Sequence, residues 1–150
     1  MSNLLSPNFD ILRGWPNGCA LWWEFPQKAA VTPNIAEGTV VDIEVGVIAG
    51  KPVVDRYTSA VHATGNIDHP WLVIQGRDQF DGSFTGTLTC VKLRTGIVFK
   101  VPTLLAMAVG DLLWAGALGV LTNVIPVAGA IDLGKVIQVD STNGWIVVES

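Results

Sequence analysis

The residues best suited to chemistry are the two histidines and the polar side chains near them. His62 and His69 lie seven residues apart beside Asp68, and Ser59 or Asp55 would complete a Ser/His/Asp or metal-binding set. His69 directly precedes a proline at the entrance of a predicted strand, and His62 is isolated in the sequence. We therefore interpret both histidines as structural residues.

General acid–base chemistry uses two carboxylates in one cleft, and Asp78 with Asp81 is the pair that fits this requirement. A polar turn with Asp81 and Gly82 at its tip explains the same residues without catalysis. We favour the turn. The alternative is a small β-barrel enzyme or sugar-binding module in which the two aspartates act on a ligand near Trp71.

Motifs for nucleotide binding and hydrolysis do not occur in the sequence. It contains no G-x-x-x-x-G-K-S/T, no G-x-G-x-x-G, no H-E-x-x-H and no G-x-S-x-G. Cys19 and Cys90 lack the spacing of metal ligands, so we interpret both as buried free thiols. The sequence predicts a protein that is not an enzyme and holds no metal or cofactor.

Composition favours a compact domain that hides part of its surface against a partner. The 150 residues are 49% hydrophobic and only 15% charged, against about 25% charged in ordinary domains. A length of 150 residues fits one domain. The net charge of −4 argues against nucleic-acid binding, which needs a clustered basic face. The first residues lack the pattern of a signal peptide, so we expect synthesis in a cytoplasm.

Residues 112–131 form a charge-free stretch with the length of a membrane span. Three glycines interrupt it, and Pro126 would break the backbone hydrogen bonding. We interpret it as short buried strands joined by tight turns, and we expect no membrane as partner.

The first 37 residues differ from the rest because they hold four of the eight prolines and three of the six tryptophans. Proline excludes a long helix or a central strand here. We predict an extended arm over residues 1–37, ahead of a single β domain over residues 38–150. The arm covers either its own domain or a neighbouring subunit, and we favour the neighbour because aromatic anchors dominate interfaces. The candidate interface residues are Phe9, Trp15, Trp22, Trp23 and Phe25.

From residue 38 onward the hydrophobic pattern alternates with a period of two, which is typical of strands with one buried face. A helix is conceivable only over residues 103–113, and Gly110 interrupts it. The pattern predicts an all-β fold, an antiparallel sandwich or barrel (jelly-roll-like) of about seven to nine strands. The predicted strands are 41–45, 51–57, 70–74, a hairpin of 84–93 with 97–101 around 94–96, and a hairpin of 135–140 with 145–149 around 141–144.

The last third of the chain contains Ala108-Val-Gly-Asp-Leu-Leu-Trp114, a short turn, and Gly119-Val-Leu-Thr122, which is a Gly-Asp turn followed by strand, turn and strand. This pattern resembles that of the capsid decoration (cement) proteins of tailed bacteriophages. Leu133-Gly-Lys-Val-Ile-Gln-Val-Asp140 and Asn143-Gly-Trp-Ile-Val-Val148 are similar to the terminal hairpin of that family. The match covers roughly the last 45 residues.

The resemblance implies a small β protein that sits on an assembled head and clamps neighbouring major capsid subunits, without activity or cofactor. We therefore expect a non-enzymatic virion structural protein on the capsid surface, made in the host cytoplasm. Its expected partners are the major capsid protein and itself, as homodimer or homotrimer. The alternative within the virion is a tail or connector component.

Overall fold

The computed structural model describes residues 10–13, 22–29, 31–57, 70–78, 80–93, 98–102, 106–128, 130 and 132–150. These residues form eleven strands and one short 3₁₀ turn, Ala117–Gly119. The strands are β1 (Asp10–Arg13), β2 (Trp22–Pro26), β3 (Val40–Ile48), β4 (Lys51–Arg56), β5 (Trp71–Arg77), β6 (Phe84–Lys92), β7 (Val98–Pro102), β8 (Leu112–Ala115), β9 (Leu121–Thr122), β10 (Gly134–Asp140) and β11 (Trp145–Glu149).

The strands form two antiparallel sheets, so the all-β prediction is confirmed. One sheet has six strands in the order β1-β7-β11-β10-β8-β9, and the other has five in the order β2-β6-β5-β3-β4. The predicted number of strands was too low. Very short strands such as β9, with two residues, carry no alternating pattern from which they could be recognised.

The five-stranded sheet curls until its two edge strands meet. Gln27, directly after β2, forms a parallel bridge with Val54 of β4, and the Lys28 N–H donates to the Val54 carbonyl at 2.9 Å. A ring of five strands with antiparallel neighbours must close through one parallel contact, as it does here. The sheet is therefore a nearly closed small barrel, and β2 is one of its five strands.

The segment from Trp71 to Ile74 is apolar at every position because both faces of strand β5 are buried there. Trp71 and Val73 point into the small barrel, whereas Leu72 and Ile74 pack between the two sheets. The interior of the barrel, hereafter the barrel core, contains Phe25, Ile35, Val41, Val54, Trp71, Val73, Leu88 and Cys90.

A second core lies between the sheets. Phe99 from the six-stranded sheet and Leu72 from the barrel are among its fully buried side chains. The members of this core are Val40, Tyr57, Leu72, Ile74, Val91, Leu93, Phe99, Val101, Leu113, Ala115, Leu121, Leu133, Val136, Ile146 and Val148.

The predicted C-terminal hairpin is confirmed as β10 and β11. In its turn, Asp140 accepts hydrogen bonds from the Asn143 N–H at 3.0 Å and from the Asn143 side chain at 2.7 Å. Gly144 has φ +71°, the conformation that favours glycine at this position.

The predicted hairpin of 84–93 with 97–101 is wrong. Both strands exist, but β6 pairs with β2 and β5, whereas β7 pairs with β1 and β11 in the other sheet. The alternating apolar side chains Val91, Leu93, Phe99 and Val101 are nevertheless buried together, and Ile97 lies outside the described residues. Two strands facing each other across a core show the same alternation as two strands paired in a hairpin, so the pattern alone could not distinguish these arrangements.

The charge-free stretch 112–131 forms β8, the 3₁₀ turn and β9 in its described part, which are short strands joined by a tight turn as predicted. The predicted burial is wrong for Leu112, Leu118 and Val120, which are exposed because no opposing layer of the described fold covers them. Residues 106–111, from the conceivable helix, contain a turn and no helix. Among the described residues no helix is long and apolar enough to cross a membrane.

Candidate functional site: exposed apolar surfaces

The acidic pair Asp78 and Asp81 closes the turn between β5 and β6. The Asp78 carboxylate accepts the N–H groups of Phe80 at 2.7 Å and of Asp81 at 3.2 Å. The Asp81 carboxylate accepts the Ser83 N–H at 2.7 Å, and hydrogen bonds from the Ser83 side chain and backbone lower the pKa of Asp81. Both carboxylates thus serve as turn acceptors, as the turn interpretation predicts.

Trp71 does not meet this acidic turn. The two lie at opposite ends of β5, which at about 3.3 Å per residue separates them by roughly 20 Å. Trp71 is enclosed in the barrel core, where its ring meets that of Phe25 edge-on with centroids 5.0 Å apart. Its indole nitrogen has no hydrogen-bond partner. The ligand site of the enzyme alternative is therefore not assembled among these residues.

The other residues singled out for chemistry fall in different places. Cys90 is a buried free thiol whose pKa is raised by burial. His62, His69 and Cys19 lie outside the described residues, as do Ser59 and Asp68. No group of three or more His, Cys, Asp or Glu side chains suited to a metal ion occurs within the described ranges.

The five candidate interface residues also lie in different environments. Phe9 and Trp15 lie outside the described residues, and Trp22 is placed in β2 by its backbone. Phe25 is 3% exposed and belongs to the barrel core, so it has almost no surface left for a partner. Trp23 is 55% exposed. Trp23 and Phe25 look equivalent in the sequence because β2, with five residues, is too short for its alternation to show which side chains are buried.

Trp23 belongs to the first of two exposed apolar surfaces. Trp23 and Phe25 are two residues apart, so they share the inner face of the barrel. In β3, Ile43 lies opposite Val54 and Val47 opposite Pro52, which puts Ile43 and Val47 on that face as well. All three side chains are on the inner face of the barrel but are exposed to solvent, and Val47 is 71% exposed. We call Trp23, Ile43 and Val47 the barrel mouth.

The alternation in β3 predicts that Ile43 lies on a buried face, but Ile43 is exposed because β3 extends beyond the end of its pairing with β5. β3 pairs with β5 only through Val40 and Val41, and a bulge between Glu44 and Val47 shifts its register with β4. Beyond Val41, β3 pairs with β4 but no longer with β5 among the described strands. Ile43 and Val47 therefore extend past the part of the barrel wall that β5 forms, and they are left exposed.

The second exposed surface is the loop between β8 and β9 with the residues that follow it. Leu118, Val120, Val124 and Ile125 are all exposed, and Leu118 has φ +57°. We call these four residues the loop cluster. A leucine in the left-handed region is strained by roughly 1–2 kcal/mol, and such strain concentrates at functional sites.

Polar residues hold the loop cluster in place. The Gly116 N–H donates to the Val120 carbonyl at 2.8 Å and closes the loop. The Asn123 side chain donates to the Asp111 carboxylate at 2.9 Å, and the same carboxylate accepts the Ala108 N–H at 2.9 Å. Hydrogen bonds from Ala108 and then Asn123 lower the pKa of Asp111. The Gly-Asp turn singled out in the sequence therefore anchors the segment next to Val124.

An open groove of about 790 Å³ runs beside the loop cluster, between it and residues 36–39. Pro102, Ala117, Val120, Val124 and Pro126 contribute to its largely apolar lining. The carboxylate of Glu37, also in the lining, already accepts the Gly76 N–H at 3.1 Å. The groove thus offers a surface for apolar contact more than a set of free catalytic groups.

Comparison with protein-family models, with curated proteins and with solved structures finds no match to this chain. The function is therefore argued from the surfaces described above.

Proposed function

We propose that the chain is a non-enzymatic virion structural protein that binds the outside of an assembled phage head and stabilises contacts between major capsid subunits. The observation that carries the proposal is the loop cluster: four exposed apolar side chains within a segment, 112–131, that has no charged residue. Solvent-facing apolar side chains concentrated in one place mark a surface that another protein covers.

Two further features support a binding role on a large assembly. The loop cluster is held by defined hydrogen bonds, so little conformational entropy is lost when a partner covers it. The Gly-Asp turn that carries the resemblance to decoration proteins is the same turn that anchors Asn123. On a shell of repeated subunits, many such modest contacts act together.

The test is addition of the purified chain to pre-formed heads that lack it. We expect stoichiometric co-sedimentation with heads and a raised temperature of head disruption. The informative variant is Leu118→Asn with Val124→Asn. Asparagine tolerates the left-handed conformation of residue 118, so the fold is retained while apolar contact is lost. We expect at least about tenfold weaker head binding.

Phe80→Asn is the matched control, because Phe80 is 90% exposed in the β5–β6 turn and does not belong to the loop cluster. It should leave head binding unchanged. Binding of the double variant at the level of the unmodified chain would contradict this use of the loop cluster. Binding to tails or connectors in place of heads would instead support a tail or connector protein.

A further inference from the structure

The groove beside the loop cluster lies where the end of β7, the β8–β9 loop and residues 36–39 meet. Pro102 at the end of β7 and Ile146 in β11 belong to its lining. Its volume of about 790 Å³ is typical of pockets that enclose most of a small ligand. Because the lining is largely apolar, covering it with another apolar surface is favourable. The occupant of this groove should therefore be short and rich in apolar side chains.

The pairing of β1 with β7 directs the start of the chain toward this groove. The two strands are antiparallel, with Asp10 opposite Lys100. Counted back along the same register, residue 8 falls level with Pro102, which lines the groove. The residues that precede β1 therefore leave the six-stranded sheet at the end where the groove begins.

The segment 1–9 is long enough to reach across the groove. Nine residues of extended chain span roughly 30 Å, at about 3.3 Å per residue. Pro7 has a fixed φ and disfavours the helical region for the residue before it, so the sequence favours an extended path. Leu5 and Leu4 precede residue 8 by three and four positions, which keeps them within roughly 13 Å of Pro102 along the chain.

The composition of the segment 1–9 matches the groove. It contains two leucines, a methionine and a phenylalanine, and none of its side chains is charged. Among the described lining residues, Glu37 is the one that carries a charge, so an acidic occupant would face a like charge. The two serines and two asparagines of the segment are neutral donors that can bond to a carboxylate.

Two longer stretches outside the described residues match the groove less well. Residues 14–21 follow Arg13, which pairs with Val98 at the opposite end of β7 from the groove. Residues 58–69 include an aspartate and two histidines, which suit neither the apolar lining nor its carboxylate. The position of β1, the reach of the chain and the composition all favour the segment 1–9.

We propose that residues 1–9 bind in the groove of their own chain, with Leu4 and Leu5 against its apolar lining. β1 tethers the segment beside the groove, so its effective concentration there exceeds that of the same segment on another copy. For this part of the predicted arm, the surface covered is the chain's own domain and not a neighbouring subunit.

The bound segment leaves part of the loop cluster open. Val120 and Val124 line the groove, whereas Leu118 and Ile125 do not. The segment therefore contacts one side of the cluster, and the exposed leucine and isoleucine remain available to a partner. The groove contact goes beyond the proposed function and does not rest on it.

Chemical cross-linking of the full chain tests the contact. In a Cys19→Ser background, Leu5→Cys is combined with Ala117→Cys, because Ala117 is exposed and lines the groove. Cys90 is buried in the barrel core and does not compete for the reagent. A short bismaleimide should join positions 5 and 117 within one chain, as identified by mass spectrometry of the digested protein.

Leu5→Cys with Val47→Cys is the matched control. Val47 in the barrel mouth is 71% exposed, and seven residues of β3, or roughly 23 Å, separate it from Val40 at the groove end of that strand. We expect this pair to react at least about tenfold more slowly. Equal rates for the two pairs would mean that the segment has no preference for the groove, which would overturn the proposal.

The same reaction shows which copy supplies the segment. A cross-link within one chain leaves the mass of a single chain and forms at a rate that does not depend on protein concentration. A product of doubled mass that joins positions 5 and 117 would show that the groove binds the segment of a second copy. That result would overturn the contact within one chain.

A further pair of variants tests the apolar contact itself. Leu4→Ser in the doubly substituted chain should slow cross-linking at least about fivefold, because burial of the leucine side chain is lost. Asn3→Ser changes the neighbouring position from one polar side chain to another and should leave the rate unchanged. An unchanged rate in Leu4→Ser would contradict the proposed contact. No heads are present in these experiments, so failure of the groove contact and failure of head binding are distinguishable.

Discussion

Gly119 packs so closely on Val40 that a Cβ atom at position 119 would overlap the Val40 carbonyl oxygen. This contact fixes the β8–β9 loop against the first residue of β3 and thereby joins the six-stranded sheet to the small barrel. The position of the loop cluster depends on it. Glycine is required at 119 both by this approach and by its φ of +73°.

Gly119→Ala should therefore destabilise the protein more than the same change at Gly38. Both glycines have positive φ, at a cost of about 1–2 kcal/mol for alanine, but a Cβ at Gly38 meets open space. At Gly119 the overlap adds an overpacking cost of about 1–3 kcal/mol. Urea unfolding of both variants measures the difference, and equal losses would contradict the close approach.

Replacing Trp23 or Phe25 of β2 by alanine should lower the free energy of unfolding by different amounts, because only Phe25 belongs to the barrel core. Phe25→Ala removes a ring from the barrel core, and we expect a loss of about 3–5 kcal/mol. Trp23→Ala should cost less than about 1 kcal/mol in the free energy of unfolding of the isolated chain, since its side chain is half exposed. Melting both variants at several protein concentrations separates the stability of the fold from any contribution of self-association. A larger loss for Trp23→Ala at high dilution would contradict the placement of these side chains.

Asp111 should titrate below the ordinary range of an aspartate. Its pKa is lowered by the Ala108 N–H and by Asn123, so the ionised form stabilises the fold. A depressed folded pKa contributes stability that is present above the unfolded value, near 3.8, and is lost as the pH falls through the folded value. NMR titration of the carboxyl carbon should show this pKa, and Asn123→Ala should move it upward. An unchanged value in that variant would exclude the Asn123 hydrogen bond as a cause.

The thiol of Cys90 should be inert in the folded protein. It is fully buried, and burial raises its pKa, so very little reactive thiolate forms. In a Cys19→Ser variant, iodoacetamide at about pH 8 should leave Cys90 unmodified until urea unfolds the chain, as read by mass spectrometry. Rapid labelling without denaturant would show that the barrel core opens on the time scale of the reaction.

Local patterns in the sequence were enough to predict the fold class and several elements. Alternation identified β3, a short unbroken apolar run identified β5, and the Asn143-Gly144 turn identified the C-terminal hairpin, because strand faces and turn conformations depend on neighbouring residues. The role of Asp78 and Asp81 as turn acceptors was likewise visible in the sequence, since their partners are two or three residues away.

Pairing between strands and the burial of particular aromatics were decided only by the tertiary structure. Alternation shows which side chains of β6 and β7 face a core, but not that the two strands belong to different sheets. Trp23 and Phe25 are indistinguishable in sequence, and their exposures differ because the barrel closes around one and ends at the other. The loop cluster is exposed for a similar reason: its apolar segment resembles a core strand, yet no opposing layer in the described fold reaches it. Burial depends on what lies across from a side chain, and contacts between distant parts of the chain determine that.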